Sequence, residues 1–267
     1  MNWERALAEV SAVAARQSGL VAMAQAERLG VDRAELDDLA QAGLLNLLEW
    51  EVYEVTGAAL APRYGYPLAA WLALSPAAFA WERPKDRTDD AVVSHESACR
   101  VLGLGAPSIG GITFTAPDRL PEPRGTRVVV AKLRDDEIVV HEGVPVTTAH
   151  RTVLDLLHDH TDHTELRRVL TDALRLDLVD LAALYADLLP LSAQYRFPAD
   201  GPGFARYFLS ELNLGTLSVR NLRAFARLVL PDQVERTAAT LAEALPGVDR
   251  NVLDDVAAEL TGKVGPA

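Results

Sequence analysis

The chain of 267 residues is long enough for two compact units, and its 49% of hydrophobic residues permits well-filled cores. A formal net charge of −12 repels nucleic acid at long range, and a single cysteine, Cys99, excludes an internal disulfide. No apolar run approaches the roughly 20 residues needed to span a bilayer, and the opening Met1-Asn2-Trp3-Glu4-Arg5 has no signal-peptide pattern, so a soluble, cytoplasmic protein with no membrane partner is expected.

Residues 2 to 16 carry Trp3, Leu7, Val10 and Val13 as an apolar helical stripe that Ser18-Gly19 breaks. Leu20-Val21 is short and apolar, and Gln25 to Leu29 predicts a second helix closed by Gly30. Asp32 caps a third helix, with Glu35 three positions on as an acidic form of the capping box, and Gly43 ends it. Leu44 to Leu48 and Val52 to Val55 then read as two strands joined at Glu49-Trp50-Glu51. Helix, short strand, helix, helix and hairpin is the order of a winged helix-turn-helix, whose third helix enters the major groove and whose hairpin is the wing. The electrostatics oppose that use: over residues 1 to 58, four arginines against ten carboxylates leave −6, and phosphate contacts dominate affinity for DNA. The residues available to promoter DNA are Gln25, Arg28, Arg33, Gln41 and Asn46. The other use of such a domain is protein contact.

Residues 59 to 90 read as a helical connector. Tyr66-Pro67-Leu68 starts a helix with Trp71 and Leu72 on one face, Ser75-Pro76 interrupts it, and Arg83 to Asp90 is a polar loop. Trp71 and Trp81 are expected in the core, being costly to leave wet.

Between Val92 and Leu157 the punctuation is clearest. Ser94 is placed to cap a short helix that Gly103 stops, Ile112 to Thr115, Arg127 to Val130 and Ile138 to Val140 have the β-branched enrichment of strands, and Thr147 or Thr148 caps a helix in which Arg151 and Asp155 share a face. His95 is expected to hydrogen-bond a backbone group at its helix start. Arg119, Arg124, Arg127, Lys132 and Arg134 gather within sixteen positions, either as a solvated edge that protects the sheet or as a contact surface for an acidic partner or nucleic acid. The run His158 to His163 invites a metal, but His158 and His160 cannot share a helical face, and it reads as a helix end followed by a solvated turn.

Helices are then expected over 165–176 and 178–188, a loop over 195–203, and helical periodicity from Phe204 onward, with Arg220, Arg223 and Arg227 on one face opposite Leu222, Phe225, Ala226 and Val229. The fold class is thus α+β: a winged helix-turn-helix over 1–58, a connector over 59–90, a small central β-sheet with helices over 91–200, and a helical C-terminal segment over 201–267.

The phrase Ser94-His95-Glu96-Ser97-Ala98, the strand Thr113-Phe114-Thr115-Ala116-Pro117, and Gly143-Val-Pro-Val-Thr-Thr148 followed by Arg151-Thr152 and Asp155-Leu156 resemble the AbiEi family of bacterial abortive-infection antitoxins, in the version common among actinobacteria. With the winged helix, the resemblance covers residues 15 to 185. It implies a phage-defence toxin–antitoxin pair whose other product is a toxic nucleotidyltransferase, a winged helix that represses the shared promoter, and a C-terminal part that counteracts the toxin by contact or indirectly. In family members that bind promoters, arginines and a glycine precede the wing tyrosine, whereas Trp50-Glu51 precede Val52-Tyr53 here. Ser94, His95, Thr148, Arg151 and Asp155 carry the resemblance and read as structural. The basic surfaces on residues 119–134 and at Arg220, Arg223 and Arg227 are the expected toxin contacts.

Two other classes stand beside this one. A stand-alone transcriptional regulator would carry a ligand-sensing domain after the same winged helix. A nuclease-like protein would need metal-binding carboxylates, and the nearest approach is Asp118 with Val130-Ala131-Lys132, where Val130 stands at the position of the second acid. No nucleophile elbow, phosphate-binding glycine loop or zinc spacing appears, so neither catalysis nor a cofactor or metal is expected.

Overall fold

The computed structural model describes residues 3–58, 61–105 and 110–265. Asn2 of the expected first helix and Ala59-Leu60 of the expected connector lie outside them. The chain is α+β and divides into two compact units: one runs to Leu102 and resumes through Thr148, and the other takes the short stretch from Gly103 and everything from Ala149 onward.

In the first unit, α1 (Trp3–Ala14) buries Ala6, Val10, Val13 and Ala14 with Leu7 packed beside them, so Val10, Val13 and Leu7 of the expected stripe face the core while Trp3 is 49% exposed. Strand β1 (Leu20–Ala22) leads into α2 (Met23–Arg28) and then α3 (Arg33–Gln41), where Asp32 accepts from Glu35 N and the Glu35 carboxylate accepts from Asp32 N, as its sequence requires. Strands β2 (Leu45–Leu47) and β3 (Val52–Val55) complete an antiparallel sheet in the order β1-β3-β2.

Helix α4 (Pro62–Ala73) begins before the expected Tyr66 and carries Pro67 inside it, at the loss of one intrahelical donor. A two-residue β4 (Val92–Val93), α5 (His95–Leu102), β5 (Ile112–Ala116), β6 (Thr126–Val130), β7 (Ile138–His141) and β8 (Val144–Thr147) follow. They make a mixed sheet in the order β6-β5-β4-β8-β7. Its parallel pairs are β5–β6 and β4–β8, its antiparallel ones β4–β5 and β7–β8.

The two sheets share one core. Leu20, Ala22 and Val52 from the first pack in the same cluster as Leu68, Val93, Phe114, Val144 and Val146, and Trp50 donates its indole N–H to Arg124 O at 2.7 Å. The expected boundaries at residues 58 and 90 therefore fall inside one unit, and the expected segment 91–200 is split between two. The physical reason is that the three short strands are apolar on both faces: Val21, Leu45 and Tyr53 pack with residues of α1 to α3, and Leu20, Ala22 and Val52 need the mixed sheet and α4 to cover them.

The second unit is helical: α6 (Ala149–His158), α7 (His163–Arg175), α8 (Leu181–Leu188), α9 (Ser192–Tyr195), α10 (Gly201–Phe208), α11 (Val219–Val229), α12 (Pro231–Ala244) and α13 (Arg250–Val264). The expected loop over 195–203 gives way at Gly201, where Gly-Pro-Gly is the first turn of α10, capped by Asp200 accepting from Gly203 N. A Cβ at Gly201 would lie 2.1 Å from Leu228 O, so glycine here permits α10 to lie against α11. Phe197, Phe204, Phe208, Tyr185 and Tyr207 interlock edge-to-face and in tilted pairs at 4.9–6.3 Å. No described helix is long and apolar enough to cross a membrane.

Candidate functional site

The expected DNA-reading surface is held by internal contacts. Gln25 is fully buried: its side-chain carbonyl accepts from Ala22 N at 2.9 Å and Gln17 Nε2 at 2.8 Å, and its amide donates to Ala78 O at 2.6 Å. It is a strut between α2 and the segment after α4, and no ligand reaches it. Arg28 makes two bonds to the Glu82 carboxylate, at 2.6 and 2.8 Å, and lies over the Phe79 ring. Glu82 is held down to about 2 by that guanidinium bond and then by Phe79 N–H. Arg33 pairs with Glu51 on the β2–β3 turn, and Tyr53 OH donates to Asp37. Gln41 and Asn46 alone of the five are exposed with no side-chain partner among the described residues. On α3 the outward residues beside Arg33 are Glu35, Asp37 and Asp38, so the surface facing a groove is acidic.

The segment after α4, expected to be a polar loop, is instead pinned by Arg83. This residue is 8% exposed, bonds Asp90 through two nitrogens, donates to Trp71 O and stacks on the Trp71 ring at 3.8 Å. Only its spacing of seven from Asp90 hinted at this, which is no periodic signal. Trp71 is half-buried and donates to Ala91 O, whereas Trp81 is 38% exposed, lying between Arg16 and Phe79 and not in the core.

The basic residues of the mixed sheet lie along its β6 edge. Arg119, Arg124 and Lys132 are exposed and make no side-chain ion pair with described residues. Arg127 is exposed on β6, and Arg134 pairs with Asp136 and Glu137, so its charge is locally offset. Asp118 is exposed just past β5 and Val130, 55% exposed, ends β6 opposite Ala116. The stripe on α11 is different in kind. Arg220 pairs with Asp177 at 2.8 Å, Arg223 bridges Asp255 and Glu259 at 2.9 Å each, and Arg227 takes Asp255. All three arginines tie α11 to neighbouring elements through acids, and the buried Arg223 Nε lacks a hydrogen-bond partner.

Of Ser94, His95, Thr148, Arg151 and Asp155, the first two and Asp155 are buried, and Thr148 and Arg151 are half-buried. Ser94 and Thr115 are fully buried, and Thr115 Oγ1 donates to Ser94 Oγ at 2.9 Å, with His95 Nδ1 at 2.9 Å from the same oxygen. The Ser94 hydroxyl thus engages the side chains of Thr115 and His95. His95 takes the left-handed conformation at φ 55°, which is uncommon for a non-glycine residue. Thr148 N donates to Glu137 O at 2.8 Å. On α6, Arg151 Nε donates to Asp155 Oδ1 at 2.7 Å, the expected pair, while Asp155 is 3% exposed and its Oδ2 has no hydrogen-bond partner.

In the histidine run, His158 and His160 both lie against Tyr195, and His163 Nδ1 is 2.8 Å from Tyr207 OH. No group of three potential metal ligands occurs among the described residues. No protein-family model matches the chain, and no curated protein matches it.

Proposed function

We propose that the chain is an antitoxin of the AbiEi type that counteracts a nucleotidyltransferase toxin in the cytoplasm, with no catalytic role of its own. The observation that carries the reading is the order of three motifs: Ser94 to Ala98 entering α5, Thr113 to Pro117 on β5, and Gly143 to Asp155 running through β8 into α6. Buried Ser94, Thr115, Thr147 and Asp155 in these motifs support structural jobs for them. A partner enzyme that exposes metal-binding carboxylates would find complementary charge at Arg119, Arg124 and Lys132 along β6. We read residues 3–58 as a winged helix, on the element order and the β1-β3-β2 sheet. Promoter binding through it is weak, because α3 presents carboxylates and Arg28 and Arg33 are engaged. The test is charge reversal. Arg124→Glu with Lys132→Glu should weaken protection against the co-expressed toxin, more so at low salt for the purified pair. Full protection by that variant, folded and at equal abundance, removes β6 as the contact.

A further inference from the structure

The second unit contains an open cleft of about 640 Å³ between the start of α7, the end of α9 and α10. Its size is that of a small-molecule site. Arg167, Arg196, His160 and His163 line it together with Tyr195 and Tyr207. Asp162 is the one acid in the lining, and it already accepts from Thr164 N at 2.7 Å. Arg167 Nε donates to Tyr207 O at 2.9 Å, which fixes the guanidinium in the wall, and its nearest carboxylate, Glu211, is 3.9 Å away. The Arg196 backbone N–H donates to Ser192 O, while its exposed side chain makes no hydrogen bond or ion pair with the described residues. The Arg196 guanidinium thus has no carboxylate partner among the described residues, in a chain of formal charge −12.

The backbone adds an independent observation. His160 and Arg196 both sit in the left-handed region, at φ 56° and 59°, just past the ends of α6 and α9. Glycine is the low-energy residue at such helix stops, and the chain uses it at Gly30, Gly43 and Gly103. A ring and a guanidinium at two such positions on one cleft cost stability, a cost the chain also carries at Ser18, Trp50, Glu51, His95, Glu142 and Asp177 outside it. His160 lies with its ring on Tyr195 at 5.4 Å, and His163 packs edge-on to Tyr207 at 5.6 Å, so planar surfaces stand beside the guanidinium groups.

We propose that this cleft binds a small phosphorylated ligand with an aromatic ring, a nucleoside monophosphate by chemical class, with Arg167 and Arg196 on the phosphate and His160 beside the ring. Guanidinium groups pair with phosphate through parallel N–H donors, and aromatic side chains stack on any base. The proposal does not depend on the antitoxin reading, since it rests on this cleft alone.

The experiment is calorimetric titration of the full chain with AMP, adenosine and inorganic phosphate, repeated on Arg196→Gly and His160→Gly. AMP should bind saturably, phosphate more weakly, and adenosine least. Arg196→Gly should weaken AMP binding at least tenfold while leaving the melting temperature unchanged or higher, since glycine relieves the left-handed strain; His160→Gly should weaken AMP more than phosphate. A purely structural role for Arg196 would show the opposite, a lower melting temperature with binding intact. No saturable binding of AMP or phosphate at millimolar concentration overturns the site. Equal affinity for adenosine and AMP overturns the assignment of the arginines, and equal affinity for phosphate and AMP overturns the aromatic half.

Discussion

Gln25→Ala separates two incompatible roles for one residue. As a solvent-facing reader of DNA, Gln25 would be dispensable for folding. As the buried strut seen here, it satisfies Ala22 N–H and Ala78 C=O as well as the amide of Gln17. Alanine leaves those groups buried, and each orphaned polar group costs about 1–3 kcal/mol. Two backbone groups, one of them partly recoverable by water because the Ala78 side is half-buried, give a loss of about 3 kcal/mol. At about 2–4 °C per kcal/mol for a domain of this size, the melting temperature should fall by about 6–12 °C. Differential scanning calorimetry of the full chain, with urea titration for the free energy, measures it. A melting temperature within about 2 °C of the parent would refute the strut, and would do so decisively if DNA binding were lost at the same time.

Deleting residues 1–58 removes Leu20, Ala22 and Val52 from the core shared with the mixed sheet. At about 1.5–3 kcal/mol per large buried side chain, this approaches the whole of a typical stability, so the remaining part of the first unit should lose its cooperative transition; a dispersed amide spectrum over residues 61–148 would contradict this. Arg223→Ala should destabilise the α11–α13 pair by about 1–2 kcal/mol, given that it removes two bonds to part-exposed carboxylates, and urea unfolding of the full chain reads the change. Burial pushes the Cys99 thiol well above its ordinary range, so alkylation should wait for denaturant; rapid labelling of the native chain would show the helix to be open. Glu82 has a folded-state value of about 2, below its ordinary 4.5, so its pairing stabilises above pH 4.5 and that contribution is lost as pH falls toward 2. The melting-temperature gap between the parent and Arg28→Ala should therefore be largest near neutrality and shrink on acidification, small throughout because the pair is exposed; a gap that widens in acid would reverse the assignment.

What could be read in the chain followed local chemistry. The capping box at Asp32 and Glu35, the strands at Ile112, Thr126 and Ile138, and the Arg151–Asp155 pair are all decided by residues within four positions of one another or by β-branched runs. The strands β4 and β8 were missed because two residues give no period and Pro145 reads as a break, although β4 is paired to β8 at Val146 alone. The compact units depend on tertiary contacts: no sequence period records that Leu20, Ala22 and Val52 pack with a sheet whose first strand begins at Val92. The charged residues were legible as clusters and not as pairs. Arg220, Arg223 and Arg227 form a stripe in sequence, and their acids, Asp177, Asp255 and Glu259, come from elements 28 to 43 positions away. The cleft beside Arg196 was hidden in a stretch read as loop, where neither a left-handed backbone nor convergence of α7, α9 and α10 has a local signature.

The most direct measurement is growth rescue. The full chain is expressed in titrated amounts beside a candidate nucleotidyltransferase toxin, with the protein's abundance and folding checked in the same cells. The expected result is dose-dependent restoration of growth that Arg124→Glu with Lys132→Glu diminishes. Persistent arrest of growth at an excess of folded full-length protein would contradict the antitoxin function itself.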